Sequence, residues 1–187
     1  MSERPLRADA RRNRDRLLEV AVRAFSTDGP DVALETIARS AGVGIGTLYR
    51  HFPTREALVE AAYRSELDRL CDSAEELLAS GEPDRALRAW MDRFVDYLAT
   101  KRGMAEALRM VIVSGGDPFA HSRERLTDAL TMLLDAGIRG GSLRADVPVL
   151  DLLTGLNGVA LATGSPGQRD QADRLLDLMM DGLRPRT

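Results

Sequence analysis

Thr47, Tyr49, Arg50 and His51 fall within five consecutive positions of the stretch 34–52, LETIARSAGVGIGTLYRHF. A hydroxyl, a phenol, a guanidinium and an imidazole on so short a segment suit hydrogen bonding to base edges and phosphate oxygens. They do not suit bond-breaking chemistry. No Ser, His and Asp are spaced to couple a nucleophile to a base, and Cys71 lies mid-helix with no activating partner evident in the sequence. The histidines are His51 and His121 alone, which with one cysteine make no structural metal centre. Neither an enzyme nor a metal or cofactor protein is expected.

Two short helices joined by a tight turn would position these side chains. Residues 35–41 precede Gly42 and residues 46–52 precede Pro53. Gly42 adopts a left-handed helix-ending conformation without the Cβ penalty that other residues carry. Ala38 is small where the two helices approach, and Ile37, Val43 and Leu48 supply an apolar pin for their angle. Thr47, Tyr49, Arg50 and His51 then point partly outward, as a helix-turn-helix requires of a helix that enters the major groove. Tyr49 can also pack by its ring with the hydroxyl outside, and His51, beside Phe52, can instead be a structural histidine. GVGIG at 42–46 is no dinucleotide loop, because no strand precedes it and its spacing differs from that fingerprint.

The rest of the chain is helical in pattern. Leu17, Leu18, Ala21, Val22 and Phe25 recur at helical spacing up to Asp28-Gly29-Pro30. A longer helix is predicted from Thr54 to about Leu78, ended by Ser80-Gly81-Glu82-Pro83. Further helices are predicted from Pro83 to Gly103, over 104–113, from Pro118 to Gly137, over 148–163 and over 167–183. No alternating strand pattern of useful length, repeat or low-complexity tract interrupts them. The reading is all-α with about nine helices. At 187 residues, 44% hydrophobic and 29% charged, the chain has enough apolar surface to fold without disulfides or metal. Residues 1–55 hold ten arginines against seven acidic residues, leaving 16 basic and 22 acidic residues behind them. A basic head on an acidic body suggests that one end meets a polyanion. No run approaches the ~18 apolar residues of a membrane span, and the N-terminus lacks a signal-peptide core, so a soluble cytoplasmic protein is expected.

Residues 10–60 resemble the DNA-binding domain of the TetR family of transcriptional regulators. The match consists of a first helix ending AFSTDG and then TIARSAGVGIGTLYRHFPTREALVEA. The resemblance implies a three-helix DNA-binding domain, residues 1–55, and a helical ligand-binding and dimerisation domain, residues 56–187. It sets the recognition helix at about 44–51. Thr47, Tyr49 and His51 match positions that usually touch phosphates or bases, and Arg55 matches a basic residue gripping the DNA backbone. Gly44, Ile45, Gly46 and Arg50 belong to the same helix, with Thr36 and Arg39 as backbone contacts from the helix before it. Arg7, Arg11 and Arg12 could reach an adjacent minor groove as a basic arm. The chain departs from the family pattern at Ala33, where a capping Ser or Thr is common, and at Gly44-Ile45, where polar pairs are common. An apolar Ile45 suits a thymine methyl in place of a hydrogen bond.

Behind this head, Trp90, Phe94, Tyr97, Met110, Phe119 and Met132 could either be plain core or wall a ligand cavity of adaptable apolar side chains. Asn157, in the apolar run LLTGLNGVALA, is a polar contact for such a ligand or serves a subunit interface. The last two helices carry broad apolar stripes through Leu150, Leu153 and Leu156 and through Leu175, Leu176 and Leu178. By the resemblance, this pair packs against its twin, so a homodimer is expected to read a palindromic operator. The functional expectation is a repressor released from DNA by a small, mostly apolar effector. An activator, or a ligand-independent regulator with a closed core, is the alternative.

Overall fold

The computed structural model describes residues 3–165 and 167–185, with side chains from Asp9 onward. Among the described residues there are nine α-helices and no strand. They are α1 (Glu3–Thr27), α2 (Leu34–Ser40), α3 (Ile45–His51), α4 (Arg55–Ser80), α5 (Pro83–Gly103), α6 (Ala105–Val113), α7 (Ser122–Arg139), α8 (Val149–Ala162) and α9 (Arg169–Leu183). None of the helices is long and apolar enough to cross a membrane. Nor do the described residues bring together three His, Cys, Asp or Glu side chains able to hold a metal ion.

The chain packs as two compact units. The first comprises the residues up to Glu66 together with Thr100–Pro118, and the second comprises Leu67–Ala99 together with the residues from Phe119 on. α4 and α5 therefore contribute to both. Each unit is built from two stretches of the chain, and in the first unit long-range packing joins them. Gly103, at the end of α5, lies so close to α1 that an added Cβ would sit 2.8 Å from Ser26 Cβ and Ser26 O. The Lys101 ammonium stands 5.7 Å from the Tyr63 ring centre, and Arg64 reaches the Asp117 carbonyl at 3.4 Å. The core of this first unit buries Leu17, Leu18, Ala21, Val22 and Phe25 of α1, the helical-spacing set of the sequence, with Ile37, Leu48, Leu58, Tyr63, Met104 and Leu108.

In the second unit an aromatic row on α5 forms the centre. Trp90 stacks on Phe94 at 5.6 Å between ring centres, and Phe94 meets Tyr97 at 6.3 Å. The Trp90 indole N–H donates to the Leu70 carbonyl at 3.0 Å, so this large side chain is buried with its polar atom satisfied. Arg125 of α7 donates to Asp68 at 2.8 Å and to Asp72 at 3.1 Å, one turn apart on α4. Arg88 of α5 donates to Asp92 at 2.5 Å and, on α9, to Asp177 at 2.7 Å. These partly exposed pairs orient helices more than they stabilise them. Close approach is also set by glycine: a Cβ on Gly155 of α8 would meet Met179 Cε of α9 at 2.9 Å.

Both boundaries of α7 differ from expectation. Pro118 does not open α7. Pro118 to His121 form turns, His121 holds a left-handed φ of 62°, and the helix begins at Ser122. Gly137 does not end α7 either; the helix continues to Arg139, and the left-handed position is Gly141 with φ 72°.

Candidate nucleic-acid interface

α2 and α3 have seven residues each, too short to persist alone in water, so the packing beneath them must hold them. α2 buries Leu34, Ile37 and Ala38, and α3 buries Leu48. The turn between them is closed by two hydrogen bonds. Gly42 N–H donates to the Arg39 carbonyl and Val43 N–H to the Ala38 carbonyl, both at 3.0 Å, with Gly42 at φ +69°. This is the 6→1 and 5→2 pattern that terminates a helix on a left-handed glycine. Neither helix has a side-chain cap at its start: the cap positions are Ala33 and Gly44.

The outer surface of this pair is polar and open. Thr36 and Arg39 are exposed on α2, and the Arg39 guanidinium lies 3.4 Å from the Thr36 hydroxyl. On α3, Gly44, Gly46, Tyr49 and Arg50 are exposed, while Ile45, Thr47 and His51 are half-buried. A Cβ added at Gly44 or Gly46 would meet nothing within 4 Å, so another molecule can approach the backbone here closely. Tyr49 is 46% exposed, so a good part of the residue is available to a partner. His51 lies tilted on Phe52 with 6.1 Å between ring centres, so a half-buried packing role coexists with its outward edge.

Two arginines have internal partners that the sequence did not reveal. Arg55 Nη1 donates to the Pro30 carbonyl at 2.7 Å and to the Val32 carbonyl at 2.8 Å. The same guanidinium stands 5.9 Å from the Phe25 ring centre. Arg55 thus ties the start of α4 to the connection between α1 and α2. Arg14 sits 5.5 Å from the ring centre of Phe52, the residue after α3. Arg11 and Arg12 are exposed on helical backbone rather than on an extended arm, Arg12 is ion-paired with Asp9, and the Arg7 side chain lies outside the described residues. The periodic pattern begins at Leu17, so nothing in the sequence marks the exposed turns before it as helical.

The residues expected to wall a ligand cavity differ in burial and belong to both units. Trp90 and Phe94 are fully enclosed and Tyr97 is buried beside them. Phe119 is half-buried, whereas Met132 is exposed on α7 and Asn157 is exposed on α8. Asn157 Nδ2 donates to the Leu153 carbonyl of its own helix at 2.7 Å. Met110 is exposed on α6, in the first unit. The alternation of apolar and polar residues on short helices gives a residue's face only when the neighbours are known, and for α6 and α7 they were not. Cys71 is buried, and that burial raises its thiol pKa to about 11 against the opposing pull of Arg125. It is not poised as a nucleophile.

An all-helical chain that carries a polar helix-turn-helix and a second helical unit defines a DNA-binding regulator, and comparison with known proteins agrees. The family described as "Bacterial regulatory proteins, tetR family" matches residues 17–62, and that described as "Transcriptional regulator SbtR-like, C-terminal domain" matches residues 82–185. The TetR transcriptional regulator SCO0520 of Streptomyces coelicolor is 57% identical, with a TM-score of 0.89 over 93% of this chain and 99% of that one. A TetR transcription regulatory protein of Mycobacterium vanbaalenii is 38% identical, with a TM-score of 0.80 over 97% of this chain and 100% of that one. The HTH-type transcriptional repressor KstR2 of Rhodococcus jostii is 27% identical over 184 residues, 91% of this chain and 90% of its own. The chain belongs to the TetR family of transcriptional regulators; it is a DNA-binding regulator and not an enzyme.

Proposed function

We propose that the protein is a homodimeric, cytoplasmic repressor that holds a palindromic operator and is released by a small, mostly apolar effector. The observation that carries this reading is that one chain presents two separate open surfaces of different chemistry. One is the polar face of α2 and α3, with Thr36, Arg39, Gly44, Ile45, Gly46, Thr47, Tyr49, Arg50 and His51 as the DNA-contacting set. The other is apolar: Leu150 and Leu161 on α8 and Leu178 on α9 are exposed at 44%, 79% and 67%. A second copy covering these leucines would give the two-fold pair of recognition helices that a palindrome needs. Repression is supported by the likeness to KstR2, a transcriptional repressor that matches most of the chain.

For the effector, the aromatic row Trp90, Phe94 and Tyr97 is the proposed contact in the second unit. α4 runs unbroken from Arg55 to Ser80 through residues of both units, which makes it the proposed carrier of the response. The effector must prefer the DNA-free state, and by reciprocity operator must weaken effector binding by the same factor. A ligand-independent regulator with a closed core is the second reading. It is favoured by the full enclosure of Trp90 and Phe94.

Selection of bound duplexes from a random library by the full-length protein, at two salt concentrations, tests the DNA reading. The expected result is one palindrome with half-sites about one helical turn apart, held less tightly as salt rises. Recovery of no preferred sequence by a protein that is dimeric in solution would overturn it. An effector that binds equally with and without that operator would overturn the release mechanism.

A further inference from the structure

We infer that the N-terminal overhang of α1 is a second DNA-contacting surface, an arginine stripe that grips backbone phosphates beyond the half-site met by α3. This rests on the operator reading above and adds a separate contact to it.

The helix itself supplies the first observation. Leu18, Val22 and Phe25 of α1, four and three residues apart, are buried in the first unit. Continuing that stripe toward the N-terminus by the same steps leads to Arg14 and Arg11, and in the sequence to Arg7 and Arg4. One face of a single helix is therefore core as far as Leu18 and arginine before it. Positions 9 to 12 and 14 to 16 are exposed, so this part of α1 runs past the edge of the packed core.

The second observation ties the stripe to the recognition surface. Arg14 lies over the ring of Phe52, directly after the end of α3. The arginines thus begin where the recognition helix ends. On the other side of the overhang both arginines have local partners: Arg12 pairs with Asp9, and Arg16 donates to the neutral Asn13 amide oxygen at 2.6 Å. The stripe keeps a net positive charge although Asp15 lies one turn from Arg11.

Duplex DNA is the occupant that fits. Its phosphates offer a line of negative charge continuous with the surface that α3 meets, and arginine is the side chain best matched to them. A helix about 10 Å across does not thread a minor groove about 6 Å wide, so the contact is to the backbone and carries no base preference.

The test uses the full-length protein and the operator recovered by selection, with affinity measured over a series of salt concentrations. Replacing Arg11→Gln should reduce the slope of log K against log salt by about one per protomer, hence about two for a dimer on both half-sites. Arg16→Gln removes the same charge from the other face and should change the slope by less than half as much. Arg11→Lys should restore most of the wild-type slope. Trimming the duplex to the ends of the half-sites should bring wild-type protein to the level of Arg11→Gln, and the selected sequence should be the same for both. Equal slopes for Arg11→Gln and Arg16→Gln would overturn the stripe and leave the operator reading standing. A changed base preference at the flanks in Arg11→Gln would overturn phosphate contact in favour of base reading. If wild-type protein recovers no operator, the operator reading fails and the stripe fails with it.

Discussion

Arg55 performs inside the protein the kind of contact that its place in the motif implies toward DNA. Its Nη1 holds two carbonyls, of Pro30 and Val32, while the guanidinium faces the Phe25 ring. Arg55→Met keeps much of the stem and removes these bonds, leaving two carbonyls short of a donor. It should destabilise the protein by about 1–3 kcal/mol in urea unfolding. An unchanged midpoint would mean that the arginine faces outward in solution. Cys71 makes a pH prediction. Its thiol pKa is raised on folding to about 11, so the folded state holds the proton more tightly than the unfolded chain does. The stabilising contribution is complete below the ordinary thiol range near 9 and is lost as pH rises toward 11. At pH 8 a thiol reagent should modify native protein at least roughly tenfold more slowly than urea-unfolded protein. Equal rates would remove the case for an inert, buried thiol.

Among the elements, what could be read from sequence was whatever a local signal marks. Gly42 reports its turn because no other residue takes φ +69° cheaply, and Leu48 reports its burial because, Ile45 apart, the other residues of α3 are glycine or polar. Pro83 marks the first turn of α5 for a similar reason. The start of α7 was not legible, since proline fits a turn as well as a helix start and the deciding residue is His121 in a left-handed conformation. The joining of α6 and the end of α5 to the first unit left no local trace either. It depends on Gly103 meeting Ser26, 77 positions earlier in the sequence. That crossing can be tested. Gly103→Ala would drive a methyl against Ser26 Cβ and backbone oxygen, both at 2.8 Å, so something must shift. The expected cost is about 1–3 kcal/mol, read as a lower melting temperature, although alanine is the better helix former. A variant as stable as wild type or more so would show that α1 and α5 are farther apart.

For the whole molecule, the exposed leucines of α8 and α9 bear on how many copies act together. The stripes legible in sequence were broader than an interface, because Leu153, Leu156, Val159, Ala172, Leu176 and Leu183 are buried within the chain itself. What remains outside includes Leu150, Leu161 and Leu178. Sequence periodicity cannot separate the two sets, since both satisfy helical spacing. Leu161→Glu with Leu178→Glu removes no buried contact of the single chain, so its circular dichroism should match wild type. Sedimentation at micromolar concentration should show a dimer for wild type and a monomer for the double variant, with operator affinity lost in parallel. A double variant that remains dimeric would move the interface elsewhere.

The helix α3 is fastened through Leu48, its one fully buried side chain, and its uncapped start asks nothing specific of Gly44. In evolutionary terms, the proposed DNA-contacting role of α3 would make stability and DNA preference nearly independent traits. Gly46, Tyr49 and Arg50 are exposed, so substitutions there can accumulate at little cost to folding; with these residues in the proposed DNA-contacting set, a lineage could move to new operators through single, individually tolerated changes.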